Sequence, residues 1–505
     1  MDRTFQRRRF LQAASAMGLG VGLGEGSLLR AITPANAGAM EVGPEAVRFR
    51  PEIEPVVRWI EDTPREKILD AAIEHLKHGL SYRDLLAGLF LAGIRNIKPH
   101  PVGFKFHAVM VINSAHLLGQ TASVDDRLLP LLWALDTFKS SQEQDVKEGD
   151  WTLGKVDEGR LPKPHRARGE FIRAMENWDI EASDAAITAL CRSSGAAGTM
   201  EPVWRMAVRD QRNIGHKPIF AAQSWRTLET IGWQHAEPVL RSLSMGLLDL
   251  SGDSRHVVVG PYEANLENAK KMREDWTAGK LDAAATRGLL GTMRQASAEE
   301  ASAEALRLLN QGISADSLWD AVILSASELL MQSPGIIAIH ATTSANSLHY
   351  IYKTSGDDTT RRLALLQAVG WQPLYRVRAK APATPTIDGL EAMKPGVSGD
   401  EAVAEIFETV NTSRLDAARK TLGYLAQDGS MEVVFDAARR LIFRKGRDSH
   451  DYKYGAAAWE ECLLSSDTKW RGPLIAAAMF NLPGAKTPDS PLMSRAREAV
   501  KTVMR

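Results

Sequence analysis

Apolar side chains return along most of this chain at the three- and four-residue spacing of a helix. Ile68, Leu69, Ala72, Ile73 and Leu76 fall on one stripe, and Val239, Leu240, Leu243, Leu247 and Leu250 on another, each broad enough to bury against a neighbour. The segment AEALRLLNQG ends on the glycine that follows a helix, and DEAVAEIFETV opens with the acidic turn that suits a helix start. Runs of alternating strands joined by Asn-Gly or Asp-Gly turns are absent. The pattern predicts an all-α protein, an irregular multi-helix array in two helical lobes. Residues 38–64, 149–169, 251–263 and 380–400 interrupt the helices, the last being rich in Pro and Gly. This divides the chain into an extension at 38–64, a main helical domain at 65–379, a linker at 380–400 and a C-terminal lobe at 401–505 packed on the main domain.

Charge narrows the partners. The 505 residues carry 62 Lys and Arg against 62 Asp and Glu, which leaves no electrostatic footprint for nucleic acid or an anionic membrane. A small neutral or mixed-charge ligand is the default. The N-terminus adds a compartment: Arg7-Arg8-Arg9-Phe10-Leu11 resembles a twin-arginine export signature, followed by a short glycine-rich apolar stretch and a small-residue cleavage site at Ala35-Asn36-Ala37. Cleavage after residue 37 would leave 57 basic and 60 acidic side chains, a net charge of −3. The expectation is a periplasmic or otherwise extracytoplasmic protein, handed across folded by the twin-arginine machinery and not held in the membrane afterwards. Cys191 and Cys462 are the two cysteines, too few for a disulfide framework or thiolate cluster, and both fall in helical patterns where a free thiol is expected.

The chemistry points to histidine. Of twelve, several stand in apolar or small-residue segments: His107 and His116, His216, His340 and His349, and His450. Residues nine apart on a helix differ by about 900°, half a turn from coincidence, so one member at most of the pairs 107/116 and 340/349 faces a given site. His107 lies deeper in its apolar run than His116. Small side chains, Ala341 to Ala345, surround His340 and leave room and hydroxyls beside it, whereas His349 sits with Tyr350 and Tyr352 and looks peripheral. Pro218 suits a first helical turn, placing His216 at a helix start. His450 and Lys453, three apart, share a helix face. Gln223, Trp225, Arg226 and Trp371 are further candidates for ligand contact, and no nucleophile elbow, P-loop or dinucleotide fingerprint occurs in a fitting context.

Four short patterns, His107-Ala-Val-Met-Val, Gly215-His216, His340-Ala-Thr-Thr-Ser and His450-Asp-Tyr-Lys453, together resemble the questin oxidase-like family in order and wide spacing. Ala108 and Arg212 stand where family members carry additional histidines. The resemblance implies an all-helical fold and a mononuclear non-haem iron, Fe(II), held by His107, His216, His340 and His450, with Lys453 carboxylated on its side-chain nitrogen. It further implies an oxidoreductase, an oxygenase that takes dioxygen and a small organic, aromatic substrate. Such a lysine is physically coherent, because a desolvated neutral amine takes up carbon dioxide and the carbamate supplies an anionic oxygen. The residues alone leave two other readings open: a periplasmic helical binding or scaffold protein with hydrogen-bonded core histidines, and a zinc-dependent hydrolase or lyase.

Overall fold

A computed structural model describes residues 45–501. Helices follow one another along almost the whole of it; among the described residues the only β pairing is two isolated bridges, Ala46 with Gly154 and Lys280 with Ile313. From Glu45 onward the chain forms one compact unit, and no described helix is long and apolar enough to cross a membrane. The export signal lies outside the described residues.

The two stripes bury as their spacing predicts. Ile68, Leu69, Ala72 and Ile73 face inward from helix Ile68–Lys77, and Val239, Leu240, Leu243 and Leu247 from helix Ala236–Leu247. Residues 38–64 differ from the expectation of an irregular extension, because Glu54–Asp62 is a helix. Pro55 starts it and Val56, Val57 and Ile60 bury one face; the apolar set is short enough to be lost among polar neighbours in a sequence scan. The segment 380–400 is irregular apart from a short turn at Ile387–Gly389 and its last two residues, which open the helix Gly399–Thr409. It is nonetheless tied down: Ile387 is buried and its amide donates to Glu328 Oε2 at 2.9 Å.

Three helices set the geometry of the interior: His216–Ile231, Ile336–Thr354 and Ser449–Leu464. Each starts for a local reason. Gly215 and Gly335 precede the first two with backbone φ of 79° and 153°, conformations that glycine alone adopts cheaply. Asp448 caps the third, forming a capping box with Asp451. Their first two turns bring His216, His340 and His450 together, and ten residues further on each helix, about 15 Å along the axis, a second meeting occurs. There Arg226 pairs with Glu460 at 2.7 Å and lies over the Tyr350 ring at 4.0 Å. Because both ends match in register, the helices run parallel, with all three N-termini on one side.

The second meeting is a buried polar layer. Asn346 donates to Glu460 and Glu461 at 2.8 and 2.9 Å, and His349 Nδ1 meets Glu461 Oε2 at 2.7 Å beneath a stacked Trp319. His349 is therefore not peripheral; it is 4% exposed. Removing its imidazole leaves the Glu461 carboxylate buried with a missing partner, which costs several kcal/mol. His349→Leu is expected to destabilise the protein by about 3 kcal/mol, read as a lower urea midpoint at unchanged m-value. A loss below about 1 kcal/mol would mean that the layer does not hold the helices.

Candidate metal centre

His107, His216 and His340 bring their ring nitrogens within 4.8 Å of one another and can hold a metal ion. The Nε2 atoms of His107 and His216 are 3.0 Å apart, and those of His216 and His340 2.9 Å. His450 completes a ring of imidazoles, its centroid 4.6 Å from that of His107 and 5.0 Å from that of His340. Its Nε2 is buried without a hydrogen-bond partner. The site is closed behind His216 and His340, 3% and 0% exposed, and more open at His107 and His450.

Each imidazole is aimed by a bond on its far side. His107 Nδ1 lies 2.8 Å from Phe104 O, His216 Nδ1 2.5 Å from Asn213 O, and His340 Nδ1 2.7 Å from Ile336 O. A carbonyl only accepts, so each Nδ1 carries the proton and each Nε2 presents its lone pair inward. His450 Nδ1 meets the Asp448 carboxylate at 2.5 Å, the carboxylate–histidine pairing that fixes a ligand's tautomer. Lone pairs 3 Å apart repel, and a cation between them removes the repulsion.

The backbone behind His216 is strained to this end. Asn213, Ile214 and Gly215 have φ of 58°, 53° and 79°, and a β-branched residue in the left-handed region is a rare and costly conformation. The turn is pinned from two sides. Asn213 donates to Val102 O, and Gly215 lies so close to Ser344 and the Tyr375 hydroxyl that a Cβ would come within 2.4 and 2.8 Å of them.

Burial holds these groups in the neutral state that ligation requires. The His216 imidazole is pushed down to about 3, chiefly by burial and next by the Lys453 charge. His107 and His340 are held well below the usual range, burial again leading. Lys453 acts electrostatically on all three, from one helical turn beyond His450. It is 2% exposed, its Nζ has no partner, and burial pushes it down to about 7, opposed by Asp448.

Four of the five residues singled out from the sequence, His107, His216, His340 and His450, thus bring their rings together, and Lys453 lies one turn beyond His450 on the same helix. The helical phase argument also separates the pairs: His116 bonds the Tyr82 hydroxyl at 3.1 Å and His349 joins Glu461. His107 is the inward member of its pair, its ring against those of His216 and His450. The hydroxyls around His340 do not bond the imidazole; Thr343 and Ser347 turn back to carbonyls of their own helix, and Ser344 meets Tyr375 at 3.0 Å. Small side chains there allow the close approach of Gly215. The four other candidates are packing groups. Gln223 joins Asn113 and Ser114, Trp225 packs on Trp204 and Trp233, Arg226 pairs with Glu460, and Trp371 packs on Gly260 and Tyr375. Asp448 was missed, although an acid at a helix start two residues before a histidine was visible. Cys191 and Cys462 are free thiols.

No protein-family model, curated protein or solved structure matches this chain. The site is therefore read from its own chemistry.

A metal-free chain carries a pH liability with a fixed sign. Unfolded histidines take up a proton near pH 6.5, whereas His216 in the fold does so only near 3 and His340 well below its usual range. The contribution of these histidines is thus full above about pH 6.5 and falls as acid protonates the unfolded chain first, by about 1.4 kcal/mol per pH unit for each histidine, about 3 for the two. Urea melts of chelator-treated protein between pH 7 and 5 test this. A slope that persists unchanged in His216→Gln and His340→Gln variants would contradict it.

Proposed function

We propose that this protein is an exported non-haem iron oxygenase acting on a small organic molecule. The observation that carries the reading is the convergence of four imidazoles, each oriented by a bond on its far nitrogen, with the unpartnered amine of Lys453.

Nitrogen and oxygen donors without thiolate suit iron(II). His107, His216, His340 and His450 would hold it, and iron(II) when bound supplies the one-electron chemistry that dioxygen requires. Lys453, held near pH 7 in its equilibrium between ammonium and amine, adds carbon dioxide as the free amine and releases a proton, giving a carbamate oxygen as a fifth donor. Asp448 holds the His450 tautomer. The closed side behind His216 and His340 excludes water, and the open side between His107 and His450 admits reactants. Passage through the twin-arginine route fits a cofactor inserted before export.

Protein expressed with its own signal is expected to carry close to one iron per chain by elemental mass spectrometry, and His340→Ala to lose it while remaining helical by circular dichroism. Zinc-loaded protein equilibrated with carbon-13 dioxide should show a carbamate carbon resonance that Lys453→Met lacks. Folded protein that takes up no iron(II) under anaerobic conditions would return the histidines to a structural role and favour a binding protein. Stoichiometric zinc without oxygen consumption would favour a hydrolase.

A further inference from the structure

We infer that the protein has a second binding site, a small acid-lined cavity beside His349 that takes the protonated head of a short primary amine. It is independent of the metal centre, since His349 lies nine residues beyond His340, about 13.5 Å along the helix Ile336–Thr354.

The cavity opens among the helices Ala315–Gln332, Ile336–Thr354, Ser449–Leu464 and Arg471–Ala478. Three carboxylates line it, those of Asp316, Asp320 and Glu461, and no lysine or arginine does. Asp316 is half-buried in the first turn of its helix, whose positive end balances part of its charge. The other two have no such help. Asp320 is 6% exposed and accepts from the Ser466 amide and hydroxyl at 3.0 and 2.5 Å; Glu461 is 2% exposed and is met by Asn346 and His349. Burial pushes the Asp320 carboxyl up against the pull of its Ser466 bonds, so its charge is hydrogen-bonded but answered by no cation. Leu464 and Ser465 also line the cavity where the helix Ser449–Leu464 ends, and a helix C-terminus favours positive charge. Two basic side chains of the surroundings are engaged elsewhere, Arg226 with Glu460 and Arg361 over the Tyr352 and Trp276 rings.

His349 turns this acidic lining into a site. Its ring stacks on Trp319 with centroids 4.5 Å apart and its Nδ1 meets Glu461 at 2.7 Å, both residues being part of the same wall. A carboxylate only accepts, so Nδ1 carries the proton and the neutral ring presents an acceptor at Nε2. That nitrogen is buried without a partner, on a residue 4% exposed. An unanswered acceptor among unanswered carboxylates calls for N–H groups that carry positive charge. A bare metal ion fits poorly, because among the described residues the group of three donors drawn within 4.8 Å of one another is the histidine cluster, not this one. An ammonium group points three N–H bonds outward to acceptors about 2.9 Å away, against about 2.1 Å for a metal ligand, and so spans a wider set. Ile323, Leu464 and Leu474 complete the wall. Leu464 is 36% exposed, which gives a short aliphatic chain an apolar path from the head group to solvent.

The test follows the melting temperature of the full-length protein, at constant ionic strength and pH 7, in propylammonium, 1-propanol and tetramethylammonium. Propylammonium is expected to raise it saturably. Propanol has the same size without the charge, tetramethylammonium the charge without N–H groups, and both should leave it unchanged. Asp320→Asn is expected to weaken the apparent affinity about tenfold. Asp316→Asn, at the half-buried position, keeps the fold if Asp320→Asn does not, and should weaken affinity about threefold. His340→Ala should respond to the amine as the parent does. An equal response to propanol, a response unchanged in both acid variants, or none at about 50 mM propylammonium overturns the proposal. A response lost in His340→Ala would put the amine at the metal centre and overturn it as well.

Discussion

Four imidazole nitrogens that face one another across a buried space repel unless something positive lies between them, and the rest of this fold is arranged to keep them there. Each ring has its outer nitrogen committed, three to backbone carbonyls and one to Asp448. None can turn away without giving up that hydrogen bond. The neighbouring Lys453 charge and the loss of water make protonation the unfavourable answer for His107, His216 and His340. The cluster can hold a metal ion, and the tight turn through Asn213, Ile214 and Gly215 places backbone strain directly before one of its side chains.

The three long helices turn that local demand into architecture. They are joined at their first two turns by the histidines and again ten residues on by Arg226, Tyr350 and Glu460. Two fixed points on each helix remove sliding and rotation together, which one cluster could not do. The polar layer therefore acts on the site from about 15 Å away, through the helices themselves. It contributes no ligand to the centre, and its cost of burying charge is offset by saturating its own donors and acceptors, His349 Nε2 apart.

Much of this could be read before any coordinates. Angular arithmetic on a helix separates His340 from His349 and His107 from His116, because the phase of a helix is local. The spacing of His450 and Lys453 is local too. What escaped was whatever depended on a partner distant in sequence. His349 looks peripheral beside its tyrosines, and Glu461, which buries it, lies in another helix. Arg226 reads as a ligand contact until Glu460 is seen against it. The shared ten-residue spacing was present in the sequence all along, but it carries meaning only once the helices are known to run parallel. Assembly of the five site residues as a set came from the family resemblance, since no pattern within one helix links residue 107 to residue 453.

That wide spread bears on how the centre comes to exist. Its donors arise on separate helices from opposite ends of the chain, so the unfolded chain has no preformed site and closing it costs loop entropy. A metal that binds only the assembled cluster then adds its binding energy to folding. Loading must follow folding, because before it the imidazoles are scattered and free to protonate. The export proposed above, by a route for folded cargo, suits such a centre. A chain threaded unfolded would have to find its metal after arrival, in competition with every other ion there, whereas one folded beforehand crosses with the choice already made.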